Sequence, residues 1–277
     1  ARPRNANRVT FLKSIIADQV RGHLAGDAYH RDGIHQGIGQ ACHCIGRTRA
    51  GRHQHHTALA GGARITFCRM GRTLLVAHQN VLDMVLLSKV PDMTLFAPSN
   101  YAEVAQMLGD ALDLCTEGPA AIRFPKTMPP ADEQTGSGLS ARKVRSGTDV
   151  CIIGVGKMLG AARGAAERLA EQGIEATVWD PRVVKPLDAE MLSDAAGHRL
   201  VVTVEDGLRD GGIGASIADT LSKLAPVDGP TVRVLGVPSV YLAHGKPDAI
   251  LHRLGLDADG VADEVQAWVG SASGRSG

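Results

Sequence analysis

The 277 residues suffice for one large domain or two ordinary ones, and either buries a real core. No apolar run approaches the ~20 residues a membrane span needs, and five scattered cysteines, an odd set, do not make a disulfide framework. The overall charge of +1 conceals a split that no uniform selection gives: residues 1–80 carry 12 Lys+Arg against 3 Asp and no Glu, while the rest carry 18 against 26 Asp+Glu.

The start, ARPRNANRVTFLKSIIADQV, lacks the apolar segment and cleavage site of a secretory leader. A reducing cytoplasm is therefore the expected compartment. Val9 to Val20 fits a short helix, but the stretch after it has no period near 3.6 and no alternation. Residues 1–75 are expected to be poorly ordered or aberrant. They are basic enough to touch nucleic acid, yet their few aromatics and lack of fold argue against it.

Order returns near Leu74. Met93 to Ala97 reads as a strand that Pro98 stops. Asn100 then caps a helix, with Glu103 three residues on in capping-box spacing. Tyr101, Val104, Leu108, Ala111 and Cys115 give this helix one apolar face. Ala120 to Phe124 is the next strand, so residues 76–135 look like the end of an α/β domain. Lys126 to Gly138, rich in Pro, Gly and polar residues, reads as a linker.

A second α/β domain, 136–270 with a tail at 271–277, follows with a mainly parallel sheet. Val150–Val155, Glu175–Trp179, Leu200–Val204 and Thr231–Leu235 are its expected strands. Met158, Ala162, Ala165, Ala166 and Leu169 form one helical stripe, closed by Gly173. Asp188 caps a helix carrying Met191, Leu192 and Ala195. Ile213, Ile217, Leu221 and Leu224 line another, and Pro247 opens a last helix through Leu254. Strands alternating with helices across short joints mean a parallel sheet covered by helices.

Several residues invite a chemical reading. Gly154 and Gly156 sit between a strand and a helix, and Asp180 ends the next strand, as in a dinucleotide site. GVGKML nevertheless misplaces the third glycine, and a tight turn is the plainer account. Glu205 and Asp206, adjacent on a strand end, point to opposite sides and suit a structural or interface role better than acid–base work. Arg123 inside the strand AAIRF is either a fork aimed at a phosphate or carboxylate or a buried ion pair. His78 could serve as acid, base or donor, although a lone histidine is more often structural. Cys42, His43, Cys44, His53, His55 and His56 have no zinc-finger spacing, so no metal site is expected.

Taken together, AHQNVLDMVLLSKVPDMTLFAPSN, GPAAIRFPK, DVCIIGVGKML, WDPRVVKPLD and VVTVEDG…GGIG carry a resemblance. In order and spacing they are similar to the C-terminal part of the 1-deoxy-D-xylulose-5-phosphate synthases, thiamine-diphosphate enzymes of the transketolase group. The likeness runs from about Ala77 to Trp268. It implies the end of a pyrimidine-binding domain followed by a transketolase-type C-terminal domain. The family joins pyruvate to glyceraldehyde 3-phosphate with loss of carbon dioxide and feeds isoprenoid synthesis. By this resemblance His78 is the catalytic histidine facing thiamine diphosphate, and Arg123 holds the substrate phosphate.

The departures bear on activity. Gly26-Asp27-Ala28 is not continued into the family's GDG…N signature for Mg2+ and diphosphate, and residues 1–80 offer no glutamate for the thiamine ring. Phe67, Leu74 and Leu75 stand where the family has an arginine and an Asp-Gly pair, and Asn80 replaces a glycine. Translation of residues 1–75 out of the ancestral frame would account for both the basic composition and the sudden onset of likeness. The expected protein is a truncated or remnant synthase that does not bind thiamine diphosphate and Mg2+ alone and is inactive alone. It is expected to act on small molecules, if at all, and to pair as a homodimer or with a separate cofactor-domain chain. No membrane or nucleic-acid partner is expected. The alternatives are one subunit of a split enzyme or a non-catalytic dimerisation module.

Overall fold

A computed structural model of the chain describes residues 57–60, 63–66 and 73–77 by backbone alone, then residues 81–115, 118–124 and 135–273. His78, the cysteine–histidine group at 42–56 and most of the linker segment lie outside the described residues.

Two sheets form the scaffold. An antiparallel pair, β1 (Thr57–Ala60) and β2 (Ala63–Thr66), precedes them. In the first sheet β3 (Thr73–Ala77) and β4 (Thr94–Phe96) lie parallel to and on either side of β5 (Ala120–Phe124). The connections carry α1 (Asp83–Ser88) and α2 (Tyr101–Leu114). The Asn100 side chain accepts from the Glu103 N–H at 2.9 Å, so the expected cap forms. The buried face of α2 differs from the expected one, because Glu103 and Asp110 are buried with Met107, Leu108 and Ala111. Periodicity of apolar residues does not reveal a helix that buries acids against a distant arginine.

The second sheet has the order β11–β10–β7–β8–β6. Its parallel strands are β7 (Val150–Gly154), β8 (Ala176–Asp180), β10 (Leu200–Leu208) and β11 (Thr231–Val237). β6 (Arg142–Arg145) adds an antiparallel edge whose basic side chains discourage further pairing. Side chains of β7 alternate strictly. Val150 and Ile152 pack with α3 (Leu159–Ala170) and α7 (Ala258–Ser273), while Cys151 and Ile153 pack with α4 (Ala189–Ala196) and α5 (Ile213–Leu224). Each valine or isoleucine among them contributes roughly 1.5–3 kcal/mol when wholly buried. α6 (Pro247–Arg253) lies on the surface.

All five residues of the expected stripe are buried, Met158 just before α3 and the other four within it, and Gly173, at φ +76°, turns the chain beyond it. Leu224 departs from expectation: it is 56% exposed, because α5 runs past the core after Leu221. The sequence reading also ends the fold one helix early, since α7 follows α6. It misses β6 and a three-residue strand, β9 (Val183–Lys185).

That short strand decides how the parts fit. β9 leaves the second domain and pairs antiparallel with β4, becoming the fourth strand of the first sheet. Met84, Met93, Leu95, Ala97 and Ala121 from the first domain then share one apolar cluster with Ile153, Met191 and Ile213 from the second. The two sheets are thus joined by a continuous core.

Candidate functional site

Arg123, the penultimate residue of β5, reaches Asp206 of the second sheet. Its Nε donates to Asp83 Oδ2 at 3.0 Å, and its Nη1 donates to Asp206 Oδ1 at 2.6 Å. Asp83 belongs to the start of α1, whereas Asp206 comes from β10. Lys157 Nζ, from the turn after β7, stands 3.7 Å from the second Asp206 oxygen. Burial on its own would lower the Arg123 pKa, but Asp206 and Asp83 outweigh it and hold the guanidinium charged above its ordinary range. Of the two readings of Arg123 the structure shows the buried ion pair, in which two carboxylates occupy the guanidinium fork.

Glu205, next to Asp206, faces the opposite way and is buried. It accepts from the Gly214 N–H at 2.8 Å and from the Ile213 N–H at 3.2 Å, so it caps α5. Three glycines of the VEDG…GGIG signature, Gly207, Gly212 and Gly214, crowd it. A Cβ at Gly212 would lie 2.6 Å from one Glu205 carboxylate oxygen, and one at Gly207 would lie 2.9 Å from the other. Burial pushes the Glu205 carboxyl up to about 7, against the lowering effect of the two backbone N–H groups.

A second ionic group ties the two sheets together. Arg182 precedes β9 and has no exposed side-chain surface. Its Nε donates to Glu103 Oε2 at 2.8 Å, and its Nη1 reaches the carbonyls of Ser137, Gly138 and Ser140 at 3.2, 3.3 and 2.8 Å. Asp110 lies 3.6 Å from Nη2. Glu103 also accepts from the Gly136 N–H at 2.7 Å. Asp180 beside it accepts from the Ser99 hydroxyl at 2.7 Å and from Arg142 at 3.2 Å. Burial pushes Asp180 up to about 6, opposed by the Ser99 hydrogen bond. Arg182 lies in the WDPRVVKPLD stretch, but its burial was not legible there, since an isolated arginine between two strands looks like a surface residue.

The same geometry answers the dinucleotide reading. Asp180 is buried and bonded, with no edge left for a ribose. Gly154 serves close packing, because a Cβ there would fall 2.7 Å from the Leu159 Cα. A shallow groove between α1, β9, α4 and α5 is lined by Ser88, Lys89, Lys185 and Thr220 among others, and none of the Arg123 group borders it.

The transketolase C-terminal domain family matches residues 139–261, which hold β6 through the first turn of α7. Residues 139–261 are a transketolase C-terminal domain. Among the curated proteins the chain is similar to the 1-deoxy-D-xylulose-5-phosphate synthase of Anaeromyxobacter sp. (strain Fw109-5), 39% identical over 207 residues. It is also similar to that of Thermobifida fusca (strain YX), 37% identical over 207 residues. Either match takes in 72% of this chain and 32% of the relative. The synthase of Mycobacterium avium (strain 104) is 39% identical over 203 residues, 70% of this chain and 31% of that protein. A solved structure described as a split gene transketolase, inactive beta4 tetramer, superposes with a TM-score of 0.64 at 30% identity. It covers 70% of this chain and 66% of its own. The chain therefore has a 1-deoxy-D-xylulose-5-phosphate-synthase-like C-terminal part and spans about a third of the length of these curated relatives.

Enzymes of that synthase name use thiamine diphosphate with a metal. The described residues of the synthase-like part do not fit that group. Among them no three or more His, Cys, Asp or Glu are grouped so as to hold a metal ion. The buried glutamates are committed, Glu103 to Arg182 and Glu205 to the start of α5. No described helix is long and apolar enough to cross a membrane.

Proposed function

We propose that this chain is the C-terminal part of a thiamine-diphosphate-dependent 1-deoxy-D-xylulose-5-phosphate synthase and has no synthase activity by itself. In the complete reaction pyruvate and glyceraldehyde 3-phosphate give 1-deoxy-D-xylulose 5-phosphate and carbon dioxide, a step toward isoprenoid precursors. The observation that carries this reading is the mismatch in extent: curated synthases account for 72% of the chain, which accounts for only 32% of them. On this reading Arg123 holds the substrate phosphate, since its bidentate fork suits a phosphate monoester. His78 faces the reacting centre, and the C-terminal domain supports both as part of a dimer in the cytoplasm.

A second reading has a specific observation in its favour. The split-gene transketolase neighbour suggests a chain that works as one subunit, with a separate polypeptide bringing the cofactor domain. Calorimetric titration of the purified chain with thiamine diphosphate and Mg2+ tests the main proposal. No saturable heat and no turnover of the two substrates are expected. Tight Mg2+-dependent uptake by the chain alone would overturn it. Activity that appears only on mixing with a cofactor-domain chain would select the split enzyme.

A further inference from the structure

From the surface inward, the cluster around Arg123 runs in order of exposure. Lys157 is 18% exposed, Asp206 12%, Arg123 6% and Asp83 4%. Asp83 and Asp206 play different parts in it. Asp83 lies innermost, engages Nε, and is tied to its own helix through the Met84 N–H at 2.8 Å. Asp206 lies outermost of the two, engages the terminal Nη1, and places its other oxygen toward an ammonium group. A carboxylate with one oxygen on a guanidinium and the other on a lysine is arranged as a bound oxyanion would be.

Charge makes the point sharper. Arg123 and Lys157 bring two positive charges, and Asp83 and Asp206 cancel both. A phosphate dianion arriving at this site meets no net attraction while Asp206 stays in place. Asp83 can remain, since it holds the far edge of the fork and fixes its direction.

We propose that Asp206 is an internal stand-in for the ligand. It fills the seat between Arg123 and Lys157 that a phosphate monoester takes in its place, so the structure is a self-occupied state of the phosphate site. Lys157, from the C-terminal domain, is then the second cation of that site. This inference rests on the phosphate role proposed for Arg123. The ligand phosphate forms two charge-assisted contacts as Asp206 gives up its own, and the domain carrying Asp206 sets how easily the seat is vacated.

Inorganic phosphate and glycerol 3-phosphate, titrated into the intact chain and followed by calorimetry and by thermal shift, test it. Asp206→Asn keeps the shape and a weak acceptor while removing the competing charge. It is expected to bind either probe about tenfold more tightly than the unaltered chain, as fits loss of one hydrogen bond between charged groups. Lys157→Met in the Asp206→Asn background is expected to return the affinity to that of the unaltered chain or below. The amide signals of an isotope-labelled sample establish that each variant is folded. If the unaltered chain binds the probes and Asp206→Asn binds them no better, the stand-in inference is overturned and the phosphate role of Arg123 survives. If neither binds, the phosphate role itself is overturned.

Discussion

Replacing Arg182 by methionine removes a charge but keeps most of the volume, and the structure fixes what is left behind. Glu103 keeps only the Gly136 N–H and becomes a buried carboxylate without its cation. The carbonyls of Ser137, Gly138 and Ser140 lose a shared donor. Stranding one member of a buried pair costs about 3–5 kcal/mol. In a chain of this size that lowers the melting temperature by roughly 10 °C. The tryptophans, Trp179 and Trp268, both lie in the C-terminal domain, so their fluorescence reads that domain while far-ultraviolet dichroism reads both. Urea unfolding of the unaltered protein should give coincident curves by the two probes, because β9 and the shared core couple the sheets. In Arg182→Met the dichroism should begin to fall before the fluorescence, as the first sheet loosens. Adding Glu103→Met removes the stranded charge and should recover part of the loss. A single-variant loss below about 1 kcal/mol, with the curves still superimposed, would refute the claim that this arginine pins the domains.

The remaining predictions concern Glu205 and two glycines. Its folded pKa of about 7 lies above that of an unfolded glutamate, so its stabilising contribution is complete in mild acid and is lost as pH rises toward and through 7. The melting temperature of Glu205→Gln should therefore gain on that of the unaltered chain between about pH 5 and pH 8. A difference that stays constant with pH would show that the carboxyl is not perturbed. Gly212→Ala places a methyl 2.1 Å from the Leu208 carbonyl oxygen and should cost several times the ~1 kcal/mol of an ordinary substitution, read by urea midpoint. Gly160→Ala, in α3 with nothing within 4 Å of the new methyl, should instead stabilise by about 0.5–1 kcal/mol.

Much of the second domain was legible because its elements are local and consistent. The stripe from Met158 to Leu169, the Asp188 cap on the Met191 N–H and the apolar run of the strand at Val150 each follow from local sequence alone. What stayed hidden depends on partners far apart in the chain. β9 spans three residues, too few for any period, and forms only because β4 offers an open edge. Glu103 read as half of a capping box, and Arg182, 79 positions later, gives it a second task. For Arg123 the sequence left two readings open, ligand fork or buried ion pair. The geometry supplies the pair and also the reason it resembles a ligand complex: its outer carboxylate belongs to another domain. The glycines near Glu205 were legible as a motif, but their purpose needed the coordinates of the carboxylate they surround.

The loan of β9 to the upstream sheet limits where such a protein can be cut. A break in the proline-bearing polar stretch before Gly136 looks harmless in the sequence. Once the halves drifted apart, however, it would leave β4 with a bare edge and Glu103 facing solvent without Arg182. A cut that leaves both sheets whole has to fall upstream of β3, so the downstream piece carries both sheets with it.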